Sequence, residues 1–186
     1  MVVSAAGGSV GVAAGQIARI GGARTIGIAG GAEKCRWLRG EVGFDAVIDY
    51  QAGPVREALH EAAPDGIDVY FDNVGGEMLE QCLFRMAVGG RIACCSAVSA
   101  YDSAKPVFGP WGVPGLLITK RLTMRGFLYN EFADIQTMAL EHIRGWVAAG
   151  ELRPFETIVE GLEAAPGALV AQLAGGNRGK LMVRVS

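Results

Sequence analysis

A short apolar run followed by a glycine-rich turn opens the chain and constrains its fold more than any other feature. Residues 2–5 are typical of a buried strand, and residues 6–11 read Ala-Gly-Gly-Ser-Val-Gly. Residues 9–20 then place their apolar side chains at helical spacing. Glycine in such a turn lets a helix pack closely on a strand and lets a ligand approach the backbone. The sequence therefore predicts a strand–turn–helix unit of an α/β domain.

The first half of the chain continues this alternation of strands and helices. Helices are predicted at 32–41, 55–63 and 76–86, and strands at 24–29, 46–48, 67–71 and 91–95. Because strands that alternate with helices are joined by crossover connections, this order predicts a Rossmann-like, doubly wound parallel sheet of about six strands with helices on both faces.

The second half is less regular. Residues 98–114 hold three prolines and two glycines and are predicted to form a long loop, a type that is often functional. A sixth strand is predicted at 122–129 and an amphipathic helix at 133–149. After Pro154, the pattern favours a short strand, a short helix and a last strand, at residues 157–160, 167–173 and 181–185.

Composition excludes several classes of function. The chain has 186 residues, of which 51% are hydrophobic and 19% charged, and this excludes a disordered chain. A net charge of −2 provides no basic surface for nucleic acid. The apolar stretches are too short to span a membrane, and the apolar start lacks a charged lead. The four cysteines and two histidines do not have the usual spacing of zinc ligands, so we expect no metal site. The low cysteine content is typical of a reducing compartment, so we expect a cytoplasmic protein.

The turn at residues 6–11 matches the dinucleotide fingerprint G-x-G-x-x-G, with Ala6 at the first glycine position. Gly8 would let the backbone approach a pyrophosphate, and Gly11 would let the helix pack on the strand. The start of the helix would supply N–H groups and a dipole for the anion. The alternative is a tight turn in an α/β domain that binds no nucleotide.

The end of the second strand bears on which cofactor is bound. A domain that binds NAD places an acidic residue there for the ribose hydroxyls, whereas residues 29–34 read Ala-Gly-Gly-Ala-Glu-Lys. We expect Lys34 to neutralise a 2′-phosphate and Glu33, on the helix, to point elsewhere, which favours NADP(H). The alternative for Lys34 is a solvated helix lysine.

Three further strand ends carry candidate residues. Asn73 follows the fourth strand, where ligands bind in open α/β sheets, although an Asx turn explains it equally. Cys94 and Cys95 end the fifth strand and are interpreted as buried thiols rather than a redox pair. Tyr101 and Lys105 spell YxxxK, but Pro106 follows, so this pair is a coincidence. Tyr101 alone remains a site candidate.

With these residues in view, the chain resembles the zinc-independent medium-chain dehydrogenases/reductases. The group is that of the NADP-dependent alkenal, enone and prostaglandin reductases, which include leukotriene-B4-dehydrogenase-like enzymes. The resemblance covers essentially the whole chain and is carried by the segments AAGGSVG, EKCRWL, GFDAVIDY, PDGIDVYFDNVGGE, GGRIACCSAVSAY and GNRGKLMVRV. It implies NADPH as the cofactor and an α,β-unsaturated aldehyde or ketone as the substrate, reduced at its C=C bond.

The resemblance also implies a set of cofactor contacts. The pyrophosphate loop would be Gly8, Ser9, Val10 and Gly11, and the 2′-phosphate would be held by Lys34 and Tyr50. The nicotinamide side would be formed by Asn73, Cys95, Ser96, Ala97, Val98 and Ser99. The strand end beside the nicotinamide would be Phe127, Leu128 and Tyr129, and the late asparagine would be Asn177. Because a phenol suits general-acid work, we expect Tyr101 to be the catalytic hydrogen-bond donor or proton source.

One departure from the family concerns the domain organisation. Its members carry a GroES-like domain ahead of this region, whereas this chain starts at the first strand of the sheet. We therefore expect a dinucleotide-binding domain at 1–153 and, at 154–186, a remnant of the catalytic domain with exposed apolar faces. A fragment, a truncated reading frame and a shortened member remain open. Residues 127–130 also differ from the commoner sequence, which bears on substrate shape.

Two other functions are kept beside the reductase. The chain could be a module that binds NADPH and dimerises without turnover, and the apolar strand at 122–129 is the edge at which we expect a homodimer to pair. A methyltransferase-like domain is the weaker alternative, because it would need an acidic residue at the end of the second strand. A small enal or enone is the expected partner, and neither nucleic acid nor a membrane is expected.

Overall fold

The computed structural model describes residues 1–101 and 109–185. Its main feature is a six-stranded sheet in which all strands are parallel and follow the order β3-β2-β1-β4-β5-β6. The strands are Val2–Val3, Ile26–Ala29, Ala46–Asp49, Ile67–Asp72, Met86–Cys94 and Thr123–Gly126 for β1 to β6. Since the chain winds from β1 to one edge and then from β4 to the other, the point where the direction reverses lies between β1 and β4.

Helices connect these strands. They are Ser9–Ile20, Ala32–Trp37, Val55–Ala62, Gly76–Arg85, Val113–Lys120, Gln136–Ala148 and Ala165–Leu173 for α1 to α7. The helix α2 continues as a π-helical turn over Leu38–Val42, which ends at Gly43 with a φ of 92°. Short 3₁₀ turns occupy Val98–Ala100, Tyr129–Ile135 and Leu162–Ala164. The predicted α/β fold with a parallel sheet of about six strands is confirmed.

Two apolar layers hold this sheet. Val2 belongs to a core with α3 and α4, and its neighbour Val3 belongs to a second core with α1 and α2. Successive side chains of a strand point to opposite faces, so β1 is buried on both sides, as expected for a parallel sheet. The layer under α2 includes Trp37 and Phe44.

Three elements, α5, β6 and β5, differ clearly from the sequence prediction. The predicted loop at 98–114 overlaps α5, which begins at Val113; Pro114 lies in its first turn, where no backbone N–H is needed. The predicted strand at 122–129 is shorter, because β6 ends at Gly126 and a 3₁₀ turn begins at Tyr129. In addition, β5 begins five residues before the predicted start, with the two central glycines of its sequence inside the strand.

The C-terminal residues form a small parallel sheet of two strands, β7 (Glu156–Glu160) and β8 (Lys180–Arg184), joined by α7. Among its contacts with the main domain, Phe155 packs edge-on against Trp37, and the Gly179 N–H donates to the Gly7 carbonyl over 2.9 Å. The Gln16 side chain also bonds the backbone of Arg153, just before this unit. Apolar side chains remain exposed on it, namely Ile158, Leu162, Leu169, Val170, Leu173 and Val185. The boundary at 153/154 stays a prediction.

Candidate cofactor-binding site

The turn after β1 brings a strand and a helix into close contact. A Cβ atom on Gly11 would lie 2.4 Å from the Ala5 carbonyl oxygen and 2.7 Å from the Ala6 Cα, so only glycine fits. Ala5 itself has a φ of 46°, and its carbonyl accepts a hydrogen bond from the Gly8 N–H over 3.0 Å. The expected packing role of Gly11 is thus visible in the geometry.

The start of α1 is suited to an anion. Gly8 occupies the N-cap position, no side chain caps the helix, and its first turn holds no acidic residue. Ser9 and Val10 are exposed at this turn. Since the first N–H groups of a helix have no partner within it and carry the positive end of the dipole, they can bind a phosphate here.

Glycines follow the end of β2, and an aromatic ring lies against them. A Cβ on Gly30 would lie 2.7 Å from the Tyr50 Cζ, which means that the Tyr50 ring lies across this glycine. The nearest carboxylate on β3, that of Asp49, accepts hydrogen bonds from the N–H groups of Gly31 (2.9 Å) and Gln51 (3.0 Å). The Asp49 carboxylate is therefore engaged by the backbone beside Tyr50.

Lys34 lies between the glycine turn and the C-terminal segment. Its aliphatic stem runs across Gly7, where an added Cβ would come within 2.6 Å of the Lys34 Cδ. Its ammonium group donates to the Gly175 carbonyl. Burial, and then the positive charge of Arg178, lower the pKa of Lys34. Lys34 is thus partly buried and lies across the glycine turn, and its role at a 2′-phosphate stays a prediction.

Glu33, the acidic residue next to Lys34 in the sequence, is paired with Arg178. Its carboxylate accepts a hydrogen bond from the Arg178 guanidinium over 2.5 Å, and that guanidinium lies 5.8 Å from the centre of the Trp37 ring. Sequence reasoning did not find Arg178, because 145 residues separate it from Glu33 and no local pattern links them.

A buried carboxylate organises the ends of β1 and β4. Asp72 is 1% exposed, and one of its oxygens accepts hydrogen bonds from the Ser4 and Tyr70 hydroxyls and from the N–H groups of Val74 and Gly75. The Tyr70 pKa is raised well above its usual value by burial and by nearby acidic groups. Asp72 is not among the residues predicted from the sequence, although an aspartate followed by a turn is a recognisable pattern.

The contacts of Asn73 are with β1 and its turn, and differ from those of the Asx turn that the sequence left open. Its amide donates to the Ser4 carbonyl over 2.7 Å, and its N–H donates to the Ser4 hydroxyl over 2.9 Å. The turn at the end of β4 is made by Asp72 instead. Asn73 therefore ties β4 to β1 at the edge where the glycine turn begins.

The segment Cys95–Ser99 wraps over the end of β4. The N–H groups of Cys95 and Ser96 donate to the Asp72 carbonyl, the Ser96 hydroxyl to the Asn73 carbonyl (2.7 Å) and the Ser99 hydroxyl to the Val74 carbonyl (2.6 Å). Ala97 and Val98 lie exposed along the segment. The segment therefore packs against Asn73, and its role at the nicotinamide side stays a prediction.

The thiols and the phenol at this wall differ in exposure. Cys94 and Cys95 are free and half-buried, and burial raises the pKa of both thiols, so they favour the inert interpretation. Tyr101 follows a 3₁₀ turn and is 66% exposed. Lys105, the second residue of the YxxxK pattern, lies outside the described residues.

The remaining predicted contacts differ in their surroundings. The Phe127 ring lies 6.3 Å from that of Phe71 on β4 and lines a cavity of about 350 Å³, so it belongs to this edge of the sheet. Leu128 and Tyr129 are exposed, and the Tyr129 hydroxyl accepts a hydrogen bond from Gln136. Asn177 is buried, with its amide donating to the Gly179 carbonyl over 2.8 Å.

The structure thus brings most of the predicted residues to the carboxyl edge of the sheet. Asn177 reaches it because Gly179 pairs with the glycine turn at Gly8. Among residues 1–101 and 109–185, no three His, Cys, Asp or Glu side chains meet in a group that could hold a metal ion. None of the helices described has the length and apolar character that a membrane crossing requires.

The strand order and the glycine turn define a Rossmann-type α/β domain. The family model described as zinc-binding dehydrogenase matches residues 9–144, and the chain belongs to this family. Bovine prostaglandin reductase 1 is 40% identical over 99% of this chain and 56% of its own length. The tobacco 2-alkenal reductase (NADP(+)-dependent) is 41% identical over 99% of this chain and 53% of its own length.

Solved structures support the same relationship. Vibrio vulnificus CurA, solved in complex with NADPH, is 36% identical with a TM-score of 0.94, over 100% of this chain and 56% of that one. The Escherichia coli quinone oxidoreductase complex with NADPH is 22% identical with a TM-score of 0.81, over 98% of this chain and 56% of that one, and it shows the shared fold. The resemblance to the NADP-dependent alkenal and prostaglandin reductases is confirmed. The chain spans about half of their length and corresponds to their C-terminal part.

Proposed function

We propose that this chain is the cofactor-binding portion of an NADPH-dependent oxidoreductase that reduces the C=C bond of an α,β-unsaturated aldehyde or ketone. The observation that carries the proposal is the uncapped start of α1, with the Lys34 side chain lying across the glycine turn beside it. A dinucleotide phosphate group fits this place, because backbone N–H groups and a cation lie together there and the first turn of α1 holds no acidic residue. The cofactors and substrates named for the relatives support the same assignment.

Each predicted residue has a task in this proposal. The first turn of α1, from Gly8 to Gly11, holds the pyrophosphate, and Lys34 and Tyr50 hold the 2′-phosphate. The nicotinamide side is formed by Asn73, the segment Cys95–Ser99 and Phe127, and Asn177 closes the site behind the glycine turn. Leu128 and Tyr129 stay candidates for contact with the substrate end of the cofactor.

The reaction requires a hydride at the β-carbon of the substrate and a proton at its α-carbon. A reduced nicotinamide supplies the hydride when it is bound at this site. Tyr101 binds the substrate carbonyl oxygen by donating a hydrogen bond as negative charge develops there, and it is the proposed proton source. The half-buried Phe127 and Phe71 rings exclude water from the same edge of the sheet.

Nucleotide binding tests the cofactor assignment. We expect the purified chain to bind NADPH more tightly than NADH. We expect Lys34→Ala to weaken NADPH binding by about ten- to a hundredfold, since a charge-assisted hydrogen bond to phosphate contributes about 1.5–3 kcal/mol. Lys180→Ala, at an exposed lysine of β8, is the matched control and should bind like the parent. Equal affinity for both nucleotides in the parent chain would contradict the assignment.

Turnover tests the reaction. Oxidation of NADPH is followed by absorbance in the presence of a simple 2-alkenal. We expect Tyr101→Phe to lower turnover while NADPH binding stays unchanged, because the exposed phenol contributes its hydroxyl and not a contact to the cofactor. Unchanged turnover in Tyr101→Phe would remove this residue from the reaction.

The second candidate function is a module that binds NADPH and forms a homodimer without turnover. One observation favours it: β6 is an edge strand of the described sheet. An edge strand offers unpaired backbone groups to a second copy. Sedimentation over a range of concentrations, together with NADPH binding but no alkenal reduction, would support this candidate over the reductase. In either case the domain division at 153/154 is part of the proposal.

A further inference from the structure

Arg178 is held in place by contacts of its guanidinium with α2 and of its backbone with Thr157 on β7. Its Nη2 lies 2.5 Å from the Glu33 carboxylate, and its Cζ lies 5.8 Å from the centre of the buried Trp37 ring. The backbone N–H of Arg178 donates to the Thr157 hydroxyl (3.0 Å), and that hydroxyl donates to the Arg178 carbonyl (2.8 Å). A guanidinium stacked on an indole and paired on one side has a defined position.

The same segment brings Arg178 next to Lys34. Gly175 accepts a hydrogen bond from the Lys34 ammonium, and Gly179 donates one to the Gly7 carbonyl. Residues 175–179 therefore bridge α2 and the glycine turn, so that two cations from distant parts of the chain lie at one end of the site. Two neighbouring positive charges repel each other unless an anion lies between them.

Glu33 is the group that would oppose an anion here. It lies next to Lys34 in the sequence, and its carboxylate would repel a phosphate at the end of β2. Arg178 binds that carboxylate and neutralises it. A guanidinium has five N–H donors, so it can bind Glu33 and still donate to a second acceptor.

We propose that Arg178 is a second cationic residue for the 2′-phosphate and, together with Lys34, determines the preference for the phosphorylated dinucleotide. This inference rests on the proposed cofactor site and names a residue of that same site. Arg178 acts on the phosphate directly, by donating hydrogen bonds, and its pairing with Glu33 sets the direction of the guanidinium. The opposing explanation is that Arg178 only anchors the C-terminal segment to α2.

Two small nucleotides separate these explanations, because 2′,5′-ADP and 5′-AMP differ only in the 2′-phosphate. Calorimetric titration of the full chain with each gives a binding ratio. We expect Arg178→Ala to weaken 2′,5′-ADP binding about tenfold and to leave 5′-AMP binding unchanged. A tenfold loss corresponds to the loss of one charge-assisted contact. Arg184→Ala is the matched control, because it removes an ion pair with Glu160 in the same C-terminal sheet, and its ratio should equal that of the parent.

The outcomes are distinguishable. If the parent chain binds both nucleotides equally, the proposed cofactor site fails. If the parent prefers 2′,5′-ADP and Arg178→Ala keeps the full preference, or weakens both nucleotides equally, the role of Arg178 in selectivity is refuted. If Glu33→Gln restores the preference in Arg178→Ala, Arg178 acts only by neutralising Glu33, and the direct contact is refuted. Should Arg178→Ala not fold, Arg178→Gln keeps much of the stem over Trp37 and must show the same selective loss.

Discussion

Replacing Asp72 tests whether one buried oxygen holds the ends of β1 and β4 together. Four donors converge on its Oδ1: the Ser4 hydroxyl at 3.1 Å, the Tyr70 hydroxyl at 2.8 Å and the N–H groups of Val74 and Gly75 at 3.1 and 3.0 Å. Asp72→Ala leaves these donors without their acceptor. At about 1 kcal/mol for each hydrogen bond, the expected loss of unfolding free energy is about 4 kcal/mol.

Asp72→Asn is the control that makes this prediction specific. Because all four donors meet at a single oxygen, the amide oxygen of asparagine can accept the same bonds without the charge. Neutral hydrogen bonds are roughly half as strong as charge-assisted ones, so we expect a loss of about 1–2 kcal/mol. Urea unfolding followed by tryptophan fluorescence measures both variants, with an unchanged slope as the check on two-state behaviour. The reasoning is refuted if Asp72→Asn is as destabilised as Asp72→Ala, or if Asp72→Ala loses less than about 1 kcal/mol.

Three further predictions concern packing, pH and thiol reactivity. Gly11→Ala places a Cβ 2.4 Å from a backbone oxygen, so we expect the unfolding free energy measured in urea to fall by about 1–3 kcal/mol. In the control Gly145→Ala, the added Cβ in α6 has no atom within 4 Å, and the unfolding free energy should rise by about 0.5–1 kcal/mol. An unchanged unfolding free energy in Gly11→Ala would contradict this prediction. Hydrogen bonds from the Thr25 N–H and hydroxyl hold the pKa of Asp45 below its usual value. As pH falls below about 4, the unfolded chain therefore binds a proton at Asp45 before the folded chain does, and the contribution of Asp45 to stability is lost. Unfolding free energies measured against pH should therefore fall less steeply below this pH in Asp45→Asn, and an unchanged slope would oppose the assignment. Since the pKa values of the thiols at Cys94–Cys95 are raised, they should react with a chromogenic disulfide at pH 7 more slowly than free cysteine, and accelerated reaction would support redox chemistry instead.

Local patterns predicted the elements whose boundaries are set by local chemistry. The helix α1 begins at Ser9 and ends at Ile20 as expected, because glycines flank an apolar stripe of helical spacing at both ends. The parallel sheet followed from the alternation of strands with helices, which leaves few other topologies. At α5 the same reasoning was wrong, because Pro114 was weighed as a loop residue although the first turn of a helix accepts proline.

Long-range contacts explain what the sequence could not predict at the site. Asn73 was correctly placed at a strand end, but its bonds to Ser4 cross 69 residues and depend on β1 lying beside β4. The carboxylate of Asp72 follows a predicted strand, but this position alone gives no indication of how many donors surround it. Each of these contacts requires the strand order, which periodicity alone does not provide.

The C-terminal segment shows how a prediction from domain organisation can miss a local constraint. Residues 154–186 were expected to present exposed apolar faces, and several remain exposed, yet Gly179 sits so close to Phe155 that an added Cβ would lie 2.0 Å from the Phe155 carbonyl oxygen. With a φ of 68°, this glycine lets the chain turn onto Gly7 and carry Arg178 to α2. Because residues 175–179 also contact Lys34, a phosphate bound there would contact both ends of the chain. Nucleotide binding should therefore stabilise the docked C-terminal segment, and this segment should in turn be needed for nucleotide selectivity.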